Sequence, residues 1–261
     1  IKITQIMIMK QLMYIIGCLV VLNACSEGTS VEEQSNEEPM NSSYLYIGTY
    51  TKYPPHASGN AEGIYVYKMN TETGALDSVG MIANIVNPSY LAIHPNKQLL
   101  YAINEHGADA NNPTGAVSAF TIDEDTKQLT IIDTESVGGD APCHISFDAT
   151  HSFILTANYV GGNVAVLPIS SDGRLEEVSA NIKHQGSGTH PRQAAPHAHF
   201  FAFEPNGTYA VAVDLGLDQV LKYELTPEGQ LAQSAQPFYE TAAEAGPRHL
   251  IFSTKGDVVY I

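Results

Sequence analysis

Two stretches of the chain concentrate the residue types that do polar chemistry. One reads His190-Pro191-Arg192-Gln193-Ala194-Ala195-Pro196-His197-Ala198-His199, the other Gly246-Pro247-Arg248-His249. With only 12 Lys and Arg in 261 residues, two arginines beside four histidines form a local cationic funnel. A neutral imidazole exchanges protons near pH 7. A guanidinium binds carboxylate or phosphate in bidentate fashion. His197 and His199 are two residues apart, which in an extended backbone puts them on one face. Such a pair can also hold a metal through neutral imidazoles. No Asp, Glu or Cys accompanies it locally, so neither a metal nor another cofactor is expected. Histidines satisfied within the scaffold, and arginines in structural salt bridges, are the competing readings.

Four segments align as the elements that must position these residues: Pro88 to His94, Pro142 to Asp148, Ala198 to Glu204 and Pro247 to Ser253. Their last residues are 54, 56 and 49 apart. Ten residues after the first three anchors come Asn104, Asn158 and Asp214, each closing a second apolar strand and each expected to bond to the turn backbone that follows. A third and a fourth strand complete each unit. Tyr44 to Ile82 supplies a second, third and fourth strand without a first. Units of four antiparallel strands at this spacing predict an all-β β-propeller, with about four to four and a half blades between Tyr44 and Ile261 and the remainder expected beyond a truncated end. Equivalent positions at the starts of successive inner strands converge on one channel mouth. One register reads Ser89, Cys143, His199, Arg248 and the next Tyr90, His144, Phe200, His249. Neighbouring strand residues face opposite ways, so Cys143 and His144 are not expected to act as a nucleophile pair, and Cys143 reads as packing. His94, His151 and His184 fall at strand ends or on outer strands and read as structural.

Composition narrows the partners. The chain carries 28 Asp and Glu against those 12 basic residues, a net charge of −16, so a nucleic-acid partner is excluded. Hydrophobic residues make up 44 % and charged residues 15 %, the balance of a folded chain. Met9-Lys10, the apolar run from Leu12 to Leu22 and Leu22-Asn23-Ala24-Cys25 form a secretory signal, and its last four residues resemble a bacterial lipobox in which Cys25 carries the lipid. Residues 1–25 are therefore expected to be a lipoprotein signal peptide, in which 1–8 read as an over-called start or a fragment edge because Ile1 is not a Met. Residues 26–43 are expected to be a disordered acidic tether, and 44–261 the partial propeller. Localisation follows as exported and lipid-anchored to a bacterial membrane, on the periplasmic or outer-membrane face, with no other membrane contact and a monomeric state.

Several motifs carry a family likeness. YIGTYT at 46–51, GIYVYKMNTETGAL at 63–76, NPSYLAIHPN at 87–96, HPRQAAPHAHFFAFEPNG at 190–207, DLGLDQV at 214–220 and GPRHLIFSTKG at 246–256 resemble the lactonase family of seven-bladed propellers. That family includes propeller-type 6-phosphogluconolactonases and carboxymuconate-lactonising enzymes. The resemblance implies seven blades in the whole protein and a small-molecule lactone or sugar acid as partner. It also implies a site with His197, His199, Arg248 and His249 catalytic and with Arg192, Gln193 and His144 binding substrate. The family's acidic residue, in an Asn-Glu-Leu motif soon after Gly-Pro-Arg-His, would fall past Ile261. The implied reaction is opening of a lactone by water, with a histidine or that carboxylate as base and Arg192 or Arg248 at the oxyanion. Because Cys25 implies export, an unphosphorylated sugar lactone stands beside the phosphorylated one. A lipid-anchored binding module without catalysis, and a muconate-type lactonising cycloisomerase, use the same residues and remain open.

Overall fold

A computed structural model describes residues 42–51, 59–107, 114–235 and 238–261. The expected signal segment with Cys25, and the tether as far as residue 41, lie outside the described residues. Strand β1 opens at Ser42, two residues before the expected start of the propeller.

Among the described residues there is no α-helix, and the strands form five antiparallel sheets in chain order. The first holds β1 (Ser42–Ile47), β2 (Gly63–Asn70) and β3 (Leu76–Ala83), without an inner strand. The second runs β4 (Leu91–Ile93), β5 (Leu99–Asn104), β6 (Ala116–Ile122), β7 (Leu129–Ser136). The third is β8 (Pro142–Phe147), β9 (Phe153–Asn158), β10 (Asn163–Pro168), β11 (Ala180–Lys183). The fourth is β12 (Ala198–Phe203), β13 (Ala210–Asp214), β14 (Gln219–Leu225) and β15 (Leu231–Gln233), with β16 (Tyr239–Glu240) also on β14. The fifth pairs β17 (Ile251–Phe252) with β18 (Val259–Tyr260). Apart from β16, each strand pairs with its neighbour in sequence, as the four-strand repeat predicts.

Second strands alternate their side chains between two cores, the period-two pattern of a strand buried on both faces. On β5, Leu100 and Ala102 face a core shared with Ile64, while Tyr101 and Ile103 face one shared with Ile145 and Ile154. On β13, Ala210 and Ala212 face Leu155 and Phe201, while Val211 and Val213 face Leu250. Four cores therefore join five successive sheets, the architecture of a β-propeller. Fully buried aromatics such as Phe120 and Phe201 each contribute roughly 1.5–3 kcal/mol of transfer free energy.

The repeat anchors have a shared task. His94, Asp148, Glu204 and Ser253 end or follow the inner strands, and each accepts from turn backbone just beyond: Asn96 N on His94, Ser152 and Phe153 N on Asp148, Asn206 and Thr208 N on Glu204, Val258 N on Ser253. Three residues after each anchor stands Lys97, His151, Gly207 or Gly256, all left-handed with φ between 58° and 72°. The N–H of each of those residues bonds back to its anchor carbonyl. His151 is therefore a turn residue, consistent with its structural reading.

The strand-closing residues depart from expectation in two of three cases. Asp214 does collect the following turn, from Gly216 N and Leu217 N. Asn104 instead donates to Val86 O and accepts from Ser118, and the buried Asn158 amide meets no hydrogen-bond partner among the described residues.

Candidate active site

Inner strands β8 and β12 each carry a bulge at the same register. Pro142 pairs Asn158 and His144 pairs Ala157, leaving Cys143 as the extra residue; Ala198 pairs Asp214 and Phe200 pairs Val213, leaving His199. A bulge re-aims the extra side chain. Here both turn into a cavity of about 290 Å³, which Ser89 and Arg248 reach from the neighbouring sheets. The expected ring of Ser89, Cys143, His199 and Arg248 is thus assembled. The second register forms a band of rings around it: Tyr90 to His144 at 4.7 Å, His144 to Phe200 at 4.4 Å, Phe200 to His249 at 6.4 Å. Tyr90 and His249 reach the cavity, while His144 is buried in the band. A larger cavity of about 730 Å³, between Phe238 and Pro247 and Ile261, has mostly apolar walls and none of this chemistry.

Arg248 and His199 form the central pair. Nε and Nη2 of Arg248 both donate to His199 Nε2, at 3.1 and 2.6 Å. His199 Nε2 must then be an acceptor, which puts the proton on Nδ1, a buried atom with no hydrogen-bond partner among the described residues. Burial, then the charges of Arg248 and His249, push the His199 pKa down to about 4. The imidazole is neutral, and its one lone pair is already engaged. His199 is therefore not the proton acceptor that the sequence suggests; it holds Arg248. A neutral partner does not form an ion pair with the guanidinium, as a carboxylate in the same place would.

The remaining expected residues divide. Arg192 lines the cavity, its Nη2 donating to the Tyr159 hydroxyl at 3.2 Å. His249 lines it with an exposed ring edge-on to His199, 5.0 Å between centroids. His197 stands behind the wall: its ring stacks on Tyr159 at 4.5 Å, and its Nδ1 bonds Tyr159 O at 2.9 Å. The bulge at His199 breaks the two-residue alternation that would have put both imidazoles side by side.

Gln193 and His144 are corrected from substrate contacts to scaffold. Gln193 is 1 % exposed, and its amide donates to Leu215 O and Asp218 Oδ1, both at 2.8 Å. The motif closes a 3₁₀ turn, Pro191–Gln193, with a capping box in which His190 Nδ1 accepts from Arg192 N and Gln193 Oε1 accepts from His190 N. His144 accepts from Phe201 N, and burial, with the His249 and His199 charges, pushes its pKa down to about 3. Unfolded imidazole takes a proton near pH 6.5, so below that pH the unfolded chain binds a proton that folded His144 refuses. Stability must then fall as pH drops, by about 2 kcal/mol at pH 5 from this residue. His144→Phe is expected to remove that part of the slope between pH 6.5 and 5 in urea titrations, adding a pH-independent cost for the lost Phe201 N–H acceptor. An unchanged slope refutes it.

Sequence reasoning missed Glu105, Tyr50 and Tyr159. Glu105 Oε2 accepts from Tyr50 OH at 2.8 Å and from Ser89 Oγ at 2.5 Å, putting a carboxylate on the wall with Ser89. Burial and that hydrogen bond push Tyr50 up to about 12, so it stays a phenol. Glu105 and Tyr159 occupy one register, directly after the strand-closing Asn104 and Asn158, and reading one residue past each closing position would have found them. Cys143 lies on the wall with Sγ 3.6 Å from three carbonyls, and burial pushes its thiol up, so it stays protonated. It is a packing residue that happens to face the cavity.

The model of the lactonase family, seven-bladed beta-propeller, matches residues 44–261. A 6-phosphogluconolactonase of Bacillus subtilis is 39 % identical over 83 % of this chain and 58 % of its own length. One of Formosa agariphila is 26 % identical over 83 % of this chain and 60 % of its own. The solved periplasmic gluconolactonase of Pseudomonas aeruginosa superposes with a TM-score of 0.74 at 33 % identity, covering 82 % of this chain and 60 % of that one. The chain spans about three fifths of the length of these relatives.

Proposed function

The chain belongs to the lactonase family of seven-bladed β-propellers, and on that premise we propose that the protein hydrolyses a sugar lactone of the gluconolactone type, with or without a phosphate. The observation that carries this reading is Arg248, a guanidinium held in the cavity by a neutral imidazole. Lactone hydrolysis builds negative charge on the carbonyl oxygen, and a fixed cation stabilises it.

In this reading each residue of the wall takes a role. His249 takes a proton from water as the water oxygen bonds to the carbonyl carbon. Arg248 bears the resulting oxyanion. On collapse, the bond from the acyl carbon to the ring oxygen breaks, and the proton passes from His249 to that oxygen, leaving a hydroxy acid. Arg192, braced on Tyr159, receives the anionic or hydroxylated far end of the sugar, and Glu105 accepts hydroxyls from the opposite side. Relatives described as 6-phosphogluconolactonases and a periplasmic gluconolactonase support the substrate class. Export and lipid attachment at Cys25 belong to the same proposal, on the strength of Leu22-Asn23-Ala24-Cys25 alone.

Acid release from glucono-δ-lactone and from 6-phosphogluconolactone, measured above spontaneous hydrolysis, tests the reading. Acceleration of at least one is expected, and their ratio of kcat/KM assigns the phosphate preference. Acceleration of neither would leave a binding module.

A further inference from the structure

The turn between β13 and β14, Asp214-Leu215-Gly216-Leu217-Asp218, lies outside the cavity wall, yet it touches both arginine-bearing loops. Asp218 is 9 % exposed. Its Oδ1 accepts from Gln193 Nε2 and from Gly246 N, both at 2.8 Å, and its Oδ2 from Glu244 N at 2.7 Å. Its carbonyl accepts from Thr241 N at 2.9 Å and Thr241 Oγ1 at 3.0 Å. One carboxylate therefore grips the residue after Arg192 and the residue two before Arg248, segments 25 and 28 positions away on either side.

We propose that Asp218 is a positioning residue for hydrolysis, setting Arg192 and Arg248 at a fixed separation across the cavity. The inference rests on the reading of these two arginines as the substrate-facing cations. Cations that must meet two ends of one substrate need their spacing held closely, since a displacement of about 1 Å costs on the order of 10²-fold in rate. Thr189 Oγ1 also links the two loops, donating to Glu244 Oε1 at 3.0 Å on the exposed side, but Asp218 is the buried carboxylate that holds both at once. Burial alone would raise the carboxyl, but the N–H groups of Gly246 and Glu244 and the Gln193 amide outweigh it and hold its pKa below the usual range. The clamp is consequently ionised and accepting at neutral pH.

Asp218→Asn is the sharpest variant. The residue has φ +55°, a conformation that Asn tolerates as well as Asp does, so the turn survives. The amide, however, offers one acceptor oxygen and an NH₂, and either orientation points a donor at a donor. We expect kcat/KM on gluconolactone to fall about 10-fold to 100-fold. In an Arg248→Ala background, the same change should lower kcat by less than threefold, because the group it positions is gone. Gln193→Met loosens only the Arg192 side and should raise KM with kcat held within twofold.

A readout independent of turnover is the Arg248 Nε–H resonance, expected to move toward free guanidinium and lose exchange protection in Asp218→Asn. Kinetic additivity with Arg248→Ala, or an unchanged resonance, overturns the clamp. Should Asp218→Asn not fold, equal changes of kcat and KM in Gln193→Met overturn it instead. A wild type that leaves every lactone untouched defeats the functional reading, while the resonance still decides the clamp.

Discussion

Arg248→Ala is expected to lower kcat/KM for lactone hydrolysis by about 10²-fold to 10³-fold, mostly in kcat, with the melting temperature little changed. Arg248 keeps exposed surface, and among the described residues its hydrogen bonds are the two to His199, so little scaffold is lost with it. What disappears is the positive charge at the carbonyl oxygen, and a loss confined to the transition state appears in kcat and kcat/KM together. Arg248→Lys tests the geometry: an ammonium restores the charge but cannot reproduce the two-pronged hold on His199, so it should recover only part of the rate. An effect under threefold for Arg248→Ala at unchanged stability would make the arginine structural and move catalysis elsewhere on the wall.

Asp214→Ala is expected to destabilise the fold by about 3–5 kcal/mol, lowering the melting temperature by roughly 10 °C for a domain of this size. The carboxylate is fully buried. Oδ2 meets His184 Nδ1 at 2.5 Å, and Oδ1 accepts from His197 N and Gly216 N at 2.8 Å and Leu217 N at 3.1 Å. His184 Nε2 in turn meets the Tyr223 hydroxyl at 2.7 Å. Removing the carboxylate strands three backbone donors and an imidazole, and stranded buried groups carry the full cost of desolvation. The turn they hold is tightly packed: Gly216 lies so close to the loop before β12 that a Cβ there would sit 2.0 Å from Ala195 O. Thermal melts monitored by near-ultraviolet dichroism check the size of the effect, and a loss under 1 kcal/mol would show that the network contributes little.

These residues show what a sequence discloses and what it withholds. Strand order was legible because a double-sided strand alternates without exception along β5 and β13, and because the anchors His94, Asp148, Glu204 and Ser253 recur where each hairpin must turn. The ring of Ser89, Cys143, His199 and Arg248 was legible for the same reason, since register repeats when sheets repeat. The roles of single histidines were not. Alternation assumes an unbroken ladder, and the bulges at Cys143 and His199 break it at the residues that matter. Whether His199 accepts a proton or a guanidinium depends on a contact with Arg248 across 49 residues. Gln193 read as a ligand contact through the family resemblance of its motif, whereas its partners come from the β13–β14 turn.

The way the wall is assembled bears on how the protein diverges. Ser89, Cys143, His199 and Arg248 come one apiece from four successive sheets, and each sheet draws its hydrogen-bond ladder from its own consecutive strands. A substitution at one of these positions alters one sector of the ligand surface and leaves the other three ladders as they were. Ser89 and Cys143 are small and uncharged, so the ligand surface there can change in single mutational steps while the Arg248 and His199 pair is kept. Ligand preference in this architecture can therefore drift sector by sector, with the reacting centre inherited unchanged.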